Sequence, residues 1–239
     1  MKIEGAISVK AAISNNKREV TKVYIDKNKK TKDFNYIRKI AKQANIELIE
    51  STKEELETLA VGKTFGGIIA ECGIRKNDEI NEGDIFYLDG IEDPFNLGYI
   101  MRNLYAFGVK NIILSSRDYS NMEFQLLKSS AGAYDMLNVK VVDDVYSYIK
   151  ELKNNNNYKC YALKRGDDAK DIFETKFNNS ALFMIGGEKR GIASNILDLA
   201  DEYLYIPYGT DFRNSLNACN ALAVVATLLF AQRKKWLVH

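Results

Sequence analysis

The 239-residue chain has a single histidine, its last residue, and only three cysteines, Cys72, Cys160 and Cys219, set far apart. Ser-His-Asp and Cys-His nucleophilic catalysis therefore lack a base, and a Cys/His zinc site lacks ligands, so no metal is expected. An odd, scattered set of cysteines also argues against a disulfide framework. No apolar run approaches the roughly 20 residues that cross a bilayer. The opening Met1-Lys-Ile-Glu-Gly-Ala-Ile7 lacks the apolar core and small-residue cleavage site of a secretory leader, so the expectation is a cytoplasmic protein without a membrane partner. Net charge is only +2, and bulk electrostatics neither demand nor exclude a polyanion. A local basic run, Lys27-Asn-Lys-Lys-Thr-Lys32, reads first as a solvated loop. Neither G-x-G-x-x-G after a strand nor G-x-x-x-x-G-K-[ST] occurs, which leaves the usual dinucleotide and phosphate-loop readings unsupported.

What is present is alternation. Apolar residues make up 46% of the chain, enough for a sizeable core. Residues 1–72 predict a small α/β unit, with helices near Ala6–Ile13, Tyr36–Ala44 and Lys53–Leu59 and strands at Val20–Ile25, Ile46–Ile49 and Gly67–Ala70. The polar stretch 73–84 reads as a linker. From Ile85 a longer alternation runs to 239. Strands are expected at 85–88, 112–114, 137–142, 158–163, 182–185 and 203–206, with helices at 97–107, 122–130, 145–152, 192–199 and 216–236. Short β-rich runs between helices predict a mostly parallel sheet covered on both faces.

Ligands of such sheets bind at the carboxyl ends of the strands, so the loops there are the places to search. Three stand out. After Leu88-Asp-Gly, Asn96 is a credible N-cap for a helix whose buried stripe is Ile100, Leu104 and Phe107, with Arg102 off that stripe. After Ile185, Gly186-Gly187-Glu188-x-x-Gly191 lets the backbone approach a ligand closely, although tight turns need glycine for geometry alone. After Ile206-Pro207, a polar loop reaches Asn214-Ser215, which can cap an apolar helix beginning at Leu216. Ser215, Asn217 and Asn220 at the mouth of that helix read either as caps with a buried hydrogen bond or as a site, and pattern alone leaves both open.

Taken in order, these loops resemble the three motifs of the SpoU/TrmH family of RNA ribose 2′-O-methyltransferases in the SPOUT superfamily. Motif one is Asn96-x-Gly98-x-x-x-Arg102, motif two Ile185-Gly-Gly-Glu188-x-x-Gly191, and motif three Ile206-Pro207 followed by Ser215-Leu-Asn217. The resemblance implies an N-terminal L30e-like α/β domain (1–72) that binds substrate RNA, and a SPOUT α/β methyltransferase domain (85–239) with a parallel sheet and a deep C-terminal trefoil knot. It also implies S-adenosylmethionine as cofactor and a homodimer whose sites are completed by the partner. The candidate cofactor-binding residues are then Leu163, Gly186, Gly187, Gly191, Ile206 and Leu216. The candidate catalytic residues are Arg102, Asn96, Glu188, Ser215 and Asn217.

Methyl transfer to a ribose hydroxyl needs an oriented oxygen and an in-line methyl donor, so positioning and electrostatics carry most of the catalysis. The resemblance places Arg102 at the hydroxyl. An arginine is a poor general base at neutral pH, and steering a phosphate while stabilising developing alkoxide charge is physically easier for it. Asn96 would orient Arg102 or the ribose, Glu188 would pair with a basic group or cap amides, and Ser215 with Asn217 would hydrogen-bond around the acceptor. The expected substrate is structured RNA, rRNA in preference to tRNA. The rivals are a catalytically silent RNA-binding or ribosome-assembly factor on the same fold and an antibiotic-resistance rRNA methyltransferase. Two departures from the family pattern stand out. Motif three carries one extra residue before Ser215, with Tyr208 where methionine is usual, and Thr64-Phe-Gly-Gly67 replaces a His-Gln-Gly turn.

Overall fold

A computed structural model describes residues 1–187 and 190–235. The chain forms two compact units, Met1–Lys76 with Asp118–Met136, and Asn77–Arg117 with the chain from Leu137 onward. The expected linker contains the first crossing, after Lys76. The two later crossings have no linker-like composition.

In the first unit, β1 (Lys2–Glu4), α1 (Ala6–Asn15), β2 (Val20–Asp26), α2 (Lys32–Gln43), β3 (Glu47–Ser51), α3 (Lys53–Leu59) and β4 (Ile68–Cys72) follow one another. The sheet order is β1-β4-β2-β3, with only β2 and β3 parallel. Buried Phe34, Ile37 and Ala41 give α2 the apolar stripe that its spacing predicts. A reciprocal capping box between Thr52 and Glu55 starts α3 at the predicted residue. β1 was not legible in the sequence, because three residues are too few to show a period.

The second unit contains β5 (Ile85–Asp89), α4 (Pro94–Ala106) and β6 (Asn111–Ser115). The chain then contributes α5 (Glu123–Ser129) to the first unit before returning. Next come β7 (Asn138–Val142), α6 (Val145–Asn156), β8 (Lys159–Leu163), β9 (Lys170–Asp171), β10 (Ala181–Gly186), α7 (Ser194–Leu197), β11 (Glu202–Tyr205) and α8 (Ala218–Arg233). Every pair in the sheet β7-β6-β5-β10-β8-β11-β9 is parallel, as expected from the alternation. The sheet centre is filled by Phe86, Tyr161 and Phe183, whose rings stack at 4.9 and 5.3 Å. α8 is secured at its end by Arg233, which donates to Asp84 at 2.7 and 2.9 Å. No helix among the described residues is long and apolar enough to cross a membrane.

The return of 118–136 to the first unit has a physical cause in Arg18, which is 1% exposed. Its guanidinium donates to Asp135 at 2.9 Å and to Glu123 at 2.7 Å, and Arg75 donates to the Tyr134 carbonyl at 3.3 Å. Burial works against the Arg18 charge, but the hydrogen bonds and charges of Asp135 and Glu123 outweigh it and hold the group protonated. Removing one member of such a buried network strands the others in an apolar interior. Arg18→Met is expected to lower the unfolding free energy by about 3–5 kcal/mol in urea titrations. A loss below about 1 kcal/mol would show that Asp135 and Glu123 are not held by this contact.

Candidate functional site

The site is built at the carboxyl ends of β5, β8, β10 and β11. β10 is buried along its length and ends at Gly186, where the chain must turn in a crowded place. A Cβ on Gly186 would lie 2.2 Å from the Gly191 carbonyl carbon, and one on Gly187 would lie 2.5 Å from the Gly90 carbonyl oxygen. These two glycines are required by close backbone approach. Gly191, at φ 66°, closes the turn by donating its amide to the Gly187 carbonyl at 3.0 Å. Asp89 fixes both sides of this turn: its carbonyl accepts from Gly187 at 2.7 Å and its carboxylate accepts from the Ala193 amide at 2.8 Å.

A cavity of about 440 Å³ opens beside the turn. All six candidate cofactor-binding residues, Leu163, Gly186, Gly187, Gly191, Ile206 and Leu216, line it, and so does Ser215. Ile185, Leu197 and Leu204 supply apolar wall. Its charged lining, among the described residues, is Lys164, Arg165 and Arg190, with no carboxylate. Lys164 is engaged with Asp168 at 2.8 Å, and that hydrogen bond raises its pKa. A smaller cavity of about 120 Å³ is lined by Gly90, Asp93 and Asn96, and it shares Gly187 and Ala218 with the larger one. Motif-one and motif-three residues thus line adjoining cavities that share Gly187.

The remaining candidates divide. Asn96 is at the smaller cavity but is not the helix cap: Asp93 is, accepting from the Asn96 amide at 2.8 Å, with Pro94 as the first helical residue. Proline at that position costs no hydrogen bond, which is why the helix starts earlier than the apolar stripe predicts. The Cys219 thiol donates to the Asn96 carbonyl at 3.2 Å, tying the start of α8 to α4. Asn217, rather than Asn214 or Ser215, caps α8, its side chain accepting from the Cys219 amide at 2.7 Å. It lines neither cavity, so capping is the role its geometry displays. Arg102 is exposed on α4, lines neither cavity, and makes no hydrogen bond or ion pair among the described residues. Glu188 lies outside the described residues.

Asp89, Asp93 and Arg165 were missed by motif reasoning. The only signal for Asp89 was its place in Leu88-Asp-Gly, and Arg165 follows β8, a loop without a motif. Cysteine chemistry is not favoured, since burial pushes the Cys160 thiol up to about 12. Among the described residues, no cluster of three His, Cys, Asp or Glu side chains could hold a metal ion.

Residues 84–227 match the family model of the SpoU rRNA methylases. The chain belongs to the SpoU rRNA methylase family. Residues 2–76 match a second model, that of RNA 2′-O ribose methyltransferase substrate binding. A Staphylococcus aureus protein assigned to the TrmH family of tRNA/rRNA methyltransferases is 30% identical, over 90% of this chain and 89% of its own. Mitochondrial rRNA methyltransferase 1 of Schizosaccharomyces pombe is 25% identical, over 92% and 86%. The fold is shared with the SpoU methyltransferase AviRb of Streptomyces viridochromogenes in complex with AdoMet: TM-score 0.78, 19% identity, 98% of this chain and 90% of that one.

In this SpoU family member the chain leaving β10 has no room for a side chain at Gly186 or Gly187. Gly187→Ala is expected to displace the turn, costing about 1–3 kcal/mol of stability and accelerating amide exchange across residues 185–193. Unchanged exchange there would mean that the Gly90 contact does not hold the turn.

Proposed function

We propose that this chain transfers a methyl group from S-adenosylmethionine to a ribose 2′-hydroxyl of structured RNA, rRNA in preference to tRNA. The observation that carries the proposal is the convergence of the loops after β8, β10 and β11 on one cavity, in which all six residues expected at the cofactor lie. The cavity suits the group. Its volume falls within the roughly 300–1,000 Å³ of small-molecule sites, and apolar walls beside backbone-lined turns offer a surface for a purine ring and hydrogen bonds at its edge. When bound, the cofactor supplies a methyl group activated on sulfur. The chain's own task is to hold the acceptor ribose and stabilise charge as its oxygen reacts.

Arg102 is the candidate for that charge. It projects from the exposed face of α4 between Phe95 and Tyr99, which are 52% and 48% exposed, and Tyr105, which is 40% exposed. Large aromatics exposed together on one helix suit a protein interface. This supports a homodimer in which Arg102 from one subunit completes the site of the other. A C-terminal trefoil knot belongs to the same reading. Its support is the close approach of the loops after β5 and β10 at Gly90 and Gly187, with α8 tied back to α4 through Cys219.

For RNA, the first unit brings together two features separated in sequence. The Asp26 amide donates to the Gly67 carbonyl at 2.9 Å and Lys29 Nζ donates to the Gly66 carbonyl at 3.1 Å, so the basic run 27–32 borders the Thr64–Gly67 turn. Lysines beside a glycine turn suit backbone recognition of a folded RNA, which is read by shape and phosphate position.

Calorimetry with S-adenosylmethionine is expected to show binding, and none at millimolar ligand would overturn the catalytic reading in favour of a silent RNA-binding factor. Arg102→Ala should lower methylation by about a hundredfold or more while cofactor binding survives. Near-normal turnover would remove Arg102 from the chemistry. Tyr99→Asp should shift the protein to monomers in sedimentation velocity, and an unchanged sedimentation coefficient would place the interface elsewhere.

A further inference from the structure

The loop from Pro207 to Ser215, where this chain is one residue longer than the family pattern, is held by a contact outside the three motifs. Arg165, on the loop after β8, reaches across to it. Its Nη1 donates to the Arg213 carbonyl and its Nη2 donates to the Asn214 carbonyl at 2.8 Å. The guanidinium carbon sits 4.5 Å from the centroid of the Tyr208 ring. The hydroxyl of Tyr208 in turn accepts the Leu216 amide at 3.0 Å, and its ring leans on Phe212 at 5.9 Å. Arg165 and Tyr208 also line two cavities, the one that Ser215 and Leu216 enter and a second of about 440 Å³ that includes Pro207 and Thr210. The stacked pair is therefore a wall between them.

We propose that Arg165 and Tyr208 are positioning residues for the cofactor: they clamp the lengthened motif-three loop so that Ser215 and Leu216 are held against the cofactor cavity. The inference rests on the proposed methyl-transfer reading of that cavity. Its physical basis is that a planar guanidinium can donate to two carbonyls and stack on an aromatic ring at once, which lysine cannot do. A flexible loop of nine residues otherwise has to be ordered when ligand binds, and pre-ordering it removes that cost from binding. Tyr208, in place of methionine, adds the hydroxyl that fixes the Leu216 amide.

The test uses the full-length protein with Arg165→Lys, Arg165→Met and Tyr208→Phe, titrated with S-adenosylmethionine and assayed for methylation at limiting and at saturating cofactor. Each variant is expected to weaken cofactor affinity about tenfold. The loss of methylation at limiting cofactor should exceed the loss at saturating cofactor, with melting within about 2 °C of the unaltered protein, so that the effect falls mainly on KM. Arg165→Lys should fail to rescue, and the double variant should lose less than the product of the single losses, because both act through one loop. Affinities within about twofold of the unaltered protein for both Arg165→Met and Tyr208→Phe would overturn the clamp. If the unaltered protein binds no cofactor, the methyl-transfer reading fails instead. Amide exchange of residues 207–216 then still decides the clamp: faster exchange in the variants supports it, and unchanged exchange overturns it.

Discussion

At the ends of β5 and β10 the two backbones come closer than any side chain permits. The Gly187 amide donates to the Asp89 carbonyl at 2.7 Å, and the space where a Gly187 side chain would stand is filled by Gly90. Parallel strands deliver both loops to the same edge, but a parallel ladder alone would leave them side by side. The glycine contact turns adjacency into a shared wall, and the two cavities meet there at Gly187 and Ala218. Asp89 then sets the far side of the turn through its carboxylate, so one residue determines where the loop leaves the sheet and where it returns.

α8 is the other fixed boundary. Its buried residues, among them Leu222, Val225, Ala226 and Leu229, are apolar, and it is held at both ends: Cys219 to Asn96 at one, Arg233 to Asp84 at the other. Between β11 and this anchored helix the chain has limited freedom, and the polar loop between them carries the residues facing the cavity. Anchoring the flanks of a loop lowers the entropy lost in ordering it, although an added residue restores some of that freedom. The arginine and tyrosine that brace this loop answer that need by chemistry local to the second unit.

Much of this was legible. Regular alternation identified the parallel sheet and most strands within a residue or two, because buried strands are short, apolar and β-rich. The three loops could be found by their order and spacing, and the six positions picked out at the cavity are three glycines and three apolar residues. Helix starts were less legible. Asp93-Pro94 and Asn217 are the true caps, yet each lies within two or three residues of another polar residue able to cap, and only the structure decides which side chain reaches an amide. Arg18 was invisible for a different reason. A charged residue in Asn15-Asn-Lys-Arg18-Glu reads as solvated, and its burial depends on carboxylates more than a hundred positions away. Non-local ionic pairing leaves no periodic signal, so the return of 118–136 to the first unit could not be anticipated from the sequence.

On the proposed reading, Arg102 shows how far one chain by itself carries the chemistry. Its guanidinium is exposed beside the exposed aromatic side chains of Phe95, Tyr99 and Tyr105, and a charge in water costs little to keep but also does little at a distance, since screening removes its influence beyond about 10 Å. To stabilise an alkoxide it has to be brought to the cavity edge and desolvated there. Among the described residues the cavity lining presents Arg165 and Arg190 and no carboxylate, a setting that favours an anionic group at its edge. An additional arginine is tolerable at that edge only when an anionic backbone arrives with it. On the proposed reading, dimer assembly places Arg102 and bound RNA supplies its counter-charge, so the guanidinium is in position to act when substrate is present.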